Sequence, residues 1–249
     1  MKKWSLSLLA FLCLILLTAF ETIDRKDRAY YEKTGYIIWE VKTDQKKIAL
    51  TFDDGPDQNS TTEILDLLEQ YGVKATFFVV GNKVRNNPEL VRREYNEGHE
   101  IGNHTYKHLH MSRQVSLDAI QEEIVQTGNE IKNITGQYPK LFRPPGGVYT
   151  ENSVQLVQQL GYKTILWSWH QDTNDWRHPG TQKIINKVLT NARNGDIVLM
   201  HDFNPGTKQT VNALKIILPA LIERGFELVT VSELLNSAET ELQFPDELK

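Results

Sequence analysis

The sequence predicts an α/β fold built on a parallel sheet. Two observations carry this. From residue 47 onward, short apolar runs alternate with amphipathic stretches, and such strand–helix alternation builds parallel sheets. Glycines close several of the amphipathic stretches, at Gly72, Gly98, Gly136, Gly161, Gly195 and Gly225, where a left-handed residue ends a helix. A closed or partly closed barrel accounts for about seven β-α units better than a two-sided open sheet, although periodicity does not decide between them.

The N-terminus stands apart. Lys2 and Lys3 precede a nearly unbroken apolar run from Trp4 to Phe20. A basic start before an apolar run reads as a signal peptide or a membrane anchor over residues 1–20, and either exports the rest of the chain. Residues 21–46 are charged and polar with tyrosines interspersed: a linker first, then an edge strand or packed arm. The only cysteine, Cys13, lies in the apolar run, so the exported part forms no disulfide and its core must supply the stability.

Strand-like runs occupy residues 48–52, 75–80, 100–103, 141–143, 164–169, 197–201 and 227–231. Helix-like stretches lie between them at 61–71, 88–97, 117–134, 153–160, 182–194 and 211–224. In the first, Ile64, Leu65, Leu67 and Leu68 keep helical spacing, with Asn59, Ser60 or Thr61 as the N-cap. One catalytic domain spans residues 47–240, and 241–249 form a tail. Of 249 residues, 40% are hydrophobic and 24% charged, a globular composition of one-domain length. A net charge of −4 leaves no polybasic footprint, which argues against nucleic acid as a partner.

The chemistry starts at Thr51-Phe52-Asp53-Asp54-Gly55-Pro56. Two adjacent carboxylates end a strand, and Gly55-Pro56 stops it. Like charges side by side call for a cation or a shared proton. Other strand ends carry ionisable groups too: His104 to His108, Arg143 with Gly146, Asp172 to Trp176, and Leu199 to His201. In a β/α barrel these ends share one rim. His104 and His108 are four residues apart, and alone they read as two surface histidines. Beside Asp53-Asp54 they make a His-His-carboxylate set with open positions, the pattern of a catalytic metal site.

These five segments, in this order, resemble the five motifs of the NodB-homology polysaccharide deacetylases, carbohydrate esterase family 4. The resemblance covers residues 47–235. It implies a distorted (β/α)7-8 TIM-like barrel. By position it makes Asp53 the general base, and Asp54, His104 and His108 the ligands of a divalent metal, usually zinc, with cobalt or another divalent ion as substitute. Arg143 would hold Asp53, and His201 would be the general acid. A fourth-motif aspartate would tune His201, Asp172 being favoured over Asp175. Leu199 and Trp176 would wall the acetyl pocket. One position departs from the family: Gly146 stands where an aromatic usually follows the second proline. Its N–H can still serve an oxyanion, but a ring that would contact sugar is missing.

The implied activity is N-deacetylation of N-acetylglucosamine units in an extracellular polysaccharide, with peptidoglycan favoured and chitin-type oligomers next. An O-acetyl (xylan-type) esterase and a non-catalytic cell-wall glycan-binding protein are the rivals. The partner is the glycan, with the membrane added if residues 1–20 are retained, and the chain is expected to be monomeric. The expected place is the exterior or cell surface of a Gram-positive bacterium. Trp167 and Trp169 keep strand spacing and are expected to pack in the core. His99, His110, His170 and His178 are expected to be solvated or locally bonded, and Asp202 to be a cap or turn residue.

Overall fold

The computed structural model describes residues 26–203 and 205–242. The expected signal or anchor at 1–20 and most of the tail at 241–249 lie outside them. Among the described residues, no helix is long and apolar enough to cross a membrane.

Chain order begins with α1 (Arg28–Thr34) and β1 (Ile37–Ile38), then β2 (Lys47–Asp53), α2 (Ser60–Tyr71), β3 (Thr76–Val79), α3 (Gly81–Asn86), α4 (Pro88–Asn96) and β4 (Glu100–Asn103). The long α5 (Leu117–Thr135), β5 (Leu141–Phe142), α6 (Glu151–Gln159) and β6 (Lys163–Ile165) come next. The chain closes with α7 (Thr181–Asn191), β7 (Ile197–His201), α8 (Gln209–Glu223), β8 (Glu227–Val229) and α9 (Val231–Leu242). Short 3₁₀ turns at Pro145–Gly147, Trp169–Gln171 and Asp175–Arg177 sit at the rim.

Every strand pairing is parallel. The order is β1-β6-β5-β4-β3-β2-β7, with β8 also on β2. Ala49 pairs with both Ile197 of β7 and Val229 of β8, so β8 occupies the lower part of the edge whose upper part takes β3. The two ends of the sheet are drawn together by single bridges. Asp172 meets Leu199 of β7, and Glu40 meets Asp196 just before it. The result is a distorted, incompletely closed barrel with helices outside.

The central strand is buried on both faces, from Ile48 through Asp53. That is why β2 reads as a continuous apolar run rather than an alternation. Phe52 and Phe77 stack at 5.2 Å between β2 and β3. Helix α2 turns Ile64, Leu65 and Leu68 inward. Its start is fixed from further out than expected: Asp57 Oδ1 accepts from the N–H groups of Asn59 and Ser60. Gly72 closes it in the left-handed region.

The folded unit also begins earlier than residue 47. Ile37 and Ile38 pair with Thr164 and Ile165, the edge-strand outcome for the arm. Helix α1 lies before them, capped by Asp27 and Gly35. Tyr31 buries against Tyr149, with ring centroids 5.7 Å apart.

Candidate active site

Strand β2 delivers Asp53 and Asp54 to the C-terminal rim. Asp53 is 3% exposed, and its Oδ1 accepts from Arg143 Nη1 at 2.7 Å. Arg143 itself is fully buried. Its guanidinium is held on every side. Nη1 also donates to Thr51 Oγ1 at 2.7 Å, Nε to the Ile165 carbonyl at 3.2 Å, and Nη2 to the Leu166 carbonyl at 2.9 Å. The Phe78 ring lies 4.0 Å beneath it. A buried cation needs such pairing, and here the pairing fixes where Asp53 points.

Asp53 Oδ2 lies 3.8 Å from His104 Nε2, and Asp54, which leaves the strand at a φ of 77°, brings its carboxylate to the same histidine. Asp54 Oδ1 lies 3.4 Å from His104 Nε2 and 3.1 Å from His108 Nε2. His104 Nδ1 is 2.7 Å from the Arg143 carbonyl. A carbonyl only accepts, so Nδ1 carries a hydrogen, and Nε2 is the ring nitrogen that faces Asp54.

Asp54 Oδ1 is buried and has no hydrogen-bond partner. The Asp54, His104 and His108 ligand atoms all lie within 4.8 Å of one another. The two short separations match tetrahedral ligands at about 2.0–2.1 Å from a zinc-sized ion, which sit roughly 3.3 Å apart. Burial pushes the Asp54 carboxyl up, but the two imidazoles outweigh it and hold it well below the usual carboxylate range. An orphaned buried oxygen facing two imidazoles fits a divalent cation. A second trio, Glu40, His170 and Asp196, is also close. There the carboxylates already have other partners: Arg28 is 3.7 Å from Glu40, and Asp196 Oδ2 accepts from Gln171 Nε2 at 2.9 Å and the Arg193 N–H at 2.8 Å.

Across the rim, β7 ends in His201. The expected link to Asp172 is corrected. Asp172 Oδ1 accepts instead from the Asn174 N–H at 3.0 Å, closing a local turn. Asn174 takes a left-handed φ of 51°, which throws Asp175 inward. Asp175 is fully buried. Its carboxylate lies 2.6 Å from His201 Nδ1 and accepts from the His201 N–H at 2.9 Å and Thr210 Oγ1 at 2.8 Å. Burial alone would lower the His201 pKa. Asp175, with Asp53 and Asp54 nearby, reverses this and raises it to about 9.

The other expected residues fall at the same rim. Leu199 is 4% exposed and Trp176 is 49% exposed, with Arg177 stacked on it at 4.5 Å. Gly146 sits in the left-handed region at φ 61°, and a Cβ there would fall 3.2 Å from the His110 ring. His110 in turn packs edge-on to His108 at 5.4 Å. Expected to be solvated or locally bonded, it lies beside the position of the missing ring.

Trp169 departs from the core packing expected of it. It is 68% exposed because β6 stops at Ile165 and the chain enters a 3₁₀ turn, where strand alternation no longer holds. Asp202 is more than a turn residue. Its N–H donates to the Asp53 carbonyl at 3.2 Å, and its Oδ2 accepts from Thr61 Oγ1 at 2.6 Å. A Cβ on Gly55 would fall 1.9 Å from that oxygen, so only glycine lets the loop after β2 lie against it. No sequence pattern marks this contact.

Comparison with known proteins agrees with the geometry. Residues 40–165 match the family model for polysaccharide deacetylase. A peptidoglycan-N-acetylglucosamine deacetylase of Bacillus cereus is 49% identical over 209 residues, covering 84% of this chain and 97% of the relative. A crystal structure of a peptidoglycan N-acetylglucosamine deacetylase, bound to an N-hydroxybenzamide, superposes with a TM-score of 0.78 at 35% identity, covering 83% of this chain and 96% of that one. A family 4 acetyl xylan esterase of Clostridium thermocellum, solved with a cobalt ion, gives a TM-score of 0.71 at 38% identity over 77% and 91% of the two chains.

Proposed function

The chain belongs to the polysaccharide deacetylase family, hydrolases of non-peptide carbon–nitrogen bonds, and from that premise we propose a metal-dependent N-deacetylation of N-acetylglucosamine units in peptidoglycan. One observation carries the reading: Asp53 and Asp54 are neighbours in sequence but serve opposite partners. One is locked to a buried arginine and the other faces two imidazoles.

Asp54, His104 and His108 would hold the cation. Two nitrogen donors and one carboxylate suit zinc. When bound, it supplies Lewis-acid polarisation of the acetyl carbonyl and a lowered water pKa. Asp53 takes the proton from the attacking water. Arg143 keeps that carboxylate aimed, because its guanidinium has no freedom to move away. The Gly146 N–H donates to the oxygen that gains charge as water adds to the acetyl carbon. His201, charged through its Asp175 pair, gives a proton to the leaving nitrogen as the carbon–nitrogen bond breaks. Water has then been added across the amide, and the products are a free amine on the sugar and acetate. Leu199 and Trp176 would wall the acetyl methyl.

The favoured substrate rests on two supports. Two of the relatives are peptidoglycan N-acetylglucosamine deacetylases. The basic start and apolar run within residues 1–20 would export the catalytic domain to the cell wall. An O-acetyl esterase is the second reading, favoured by the likeness to the acetyl xylan esterase. The complete charged set argues against a protein that only binds glycan.

Acetate release from peptidoglycan, chitopentaose and acetylxylan, each with and without chelator, tests the proposal. Chelator-sensitive release from peptidoglycan is expected. Release from acetylxylan alone would transfer the assignment to the esterase, and no release after zinc addition would overturn catalysis.

A further inference from the structure

We propose that Lys83 is a positioning residue for the metal site, tying the Asp54 backbone to the helix that also hydrogen-bonds the His104–His108 turn. The inference rests on the proposed metal site of Asp54, His104 and His108.

Both ligand segments hold uncommon backbone. Among the described residues, five non-glycine residues have positive φ, and Asp54, Thr105 and His108 are three of them, at 77°, 63° and 59°. Such backbone carries a steric cost, so the surroundings must hold these conformations in place. Helix α3 is the common support. Its first residues donate to the histidine turn: Gly81 N–H to the Thr105 carbonyl and Asn82 N–H to the Tyr106 carbonyl, both at 2.9 Å. Just before it, Val80 N–H donates to the Gly55 carbonyl at 3.0 Å. Within the same helix, Lys83 Nζ donates to the Asp54 carbonyl at 2.7 Å. A single helix thus grips both halves of the ligand set, through backbone on one side and through one side chain on the other.

Lys83 is itself confined. It is partly buried, its ammonium lies 3.0 Å from the Phe203 ring centroid, and Asp54, Asp57 and Asp202 are its charged neighbours. Three carboxylates around one ammonium leave it a poor candidate for swinging into solvent. No step of the proposed reaction uses it.

The sign of the effect separates positioning from charge. An ammonium beside a cation site repels the cation, so loss of that charge alone would tighten metal binding. Loss of a support for a ligand weakens it, typically by about 10–100-fold.

The experiment is zinc affinity measured by chelator competition on the metal-stripped protein. The variants are Lys83→Met, which loses donor and charge, Lys83→Gln, which keeps a neutral donor, and Lys83→Arg, which keeps both. The expected order is weakening by about tenfold or more for Met, less for Gln, and restoration to within about threefold by Arg. Zinc affinity in Lys83→Met equal to or tighter than wild type would overturn the inference while leaving the metal site standing. Absence of zinc binding in the wild type would instead overturn the metal site itself. Thermal melts of the stripped variants check the fold. Should the Met variant not fold, the Gln variant decides: weaker than wild type supports positioning, equal or tighter overturns it.

Discussion

Asp175 Oδ1 lies 2.6 Å from His201 Nδ1, while the other oxygen of the same carboxylate accepts the backbone N–H of His201. One buried carboxylate therefore fixes both the ring and the main chain of the proposed general acid. Nδ1 carries a hydrogen toward Asp175, and Nε2 is left without that contact, free for the proposed proton transfer.

Replacing Asp175 by Asn removes the charge that offsets burial of the imidazole. The His201 pKa should fall from about 9 toward its ordinary 6.5. Because the protonated ring is the working form, the alkaline limb of kcat/KM should move to lower pH. At pH 8 the protonated fraction would drop by roughly 30-fold. The same sign holds for stability. The raised pKa contributes fully below 6.5 and is lost as pH rises through about 9, a dependence the variant should flatten. Asp172→Asn, which touches only the local turn, should leave the limb in place. A limb that moves with Asp172 and ignores Asp175 would reverse the assignment.

Asp53 and Asp54 should separate under mutation. Asp54→Ala removes a ligand, so zinc stoichiometry and acetate release should disappear together. Asp53→Asn should keep one zinc per chain while turnover falls by about 10²–10⁴, the range for a lost general base. Zinc content by atomic emission and release rates on the same preparations check both. Full zinc in Asp54→Ala would remove it as a ligand, and near-normal turnover in Asp53→Asn would remove the base.

Arg143→Met leaves the buried Asp53 carboxylate without its hydrogen-bonded guanidinium. Breaking such a pair costs about 3–5 kcal/mol, and the Ile165 and Leu166 carbonyls lose their donors as well. Urea unfolding should show a loss of that size. Adding Asp53→Asn should recover part of it, because the stranded charge goes with it. Additive losses would show that the pair is not coupled.

The fold is legible wherever burial writes a plain pattern. Residues 100–103 and 197–201 read as strands and are strands over those residues, since each is a buried run with polar residues after it. Helix α3 carries no such mark. Its six residues, Gly-Asn-Lys-Val-Arg-Asn, bury only Gly81 and Val84, too few to show a period. Helix α1 is equally short of signal and buries only Tyr31. At the site, residues at strand ends can be placed on one rim from sequence, because a parallel barrel puts them there. Which of two aspartates in one loop reaches His201 cannot. That choice depends on the backbone angle of Asn174 and on the register of Thr173, whose hydroxyl donates to the Leu199 carbonyl at 2.8 Å.

Gly146 offers the last test, because two separable forces act on it. Its φ of 61° disfavours any side chain by about 1–2 kcal/mol. A Cβ would also press on the His110 ring at 3.2 Å. Gly146→Ala should therefore lose stability through both, and His110→Ala in the same chain should recover the steric share only. The backbone N–H survives the substitution, so zinc stoichiometry should hold and acetate release should fall by less than about tenfold, far short of the loss expected when an oxyanion donor is removed outright. A larger fall in turnover with the fold intact would mean that the Gly146 backbone moved away from the oxyanion. Full recovery of stability by His110→Ala would mean that the left-handed conformation carries no cost there.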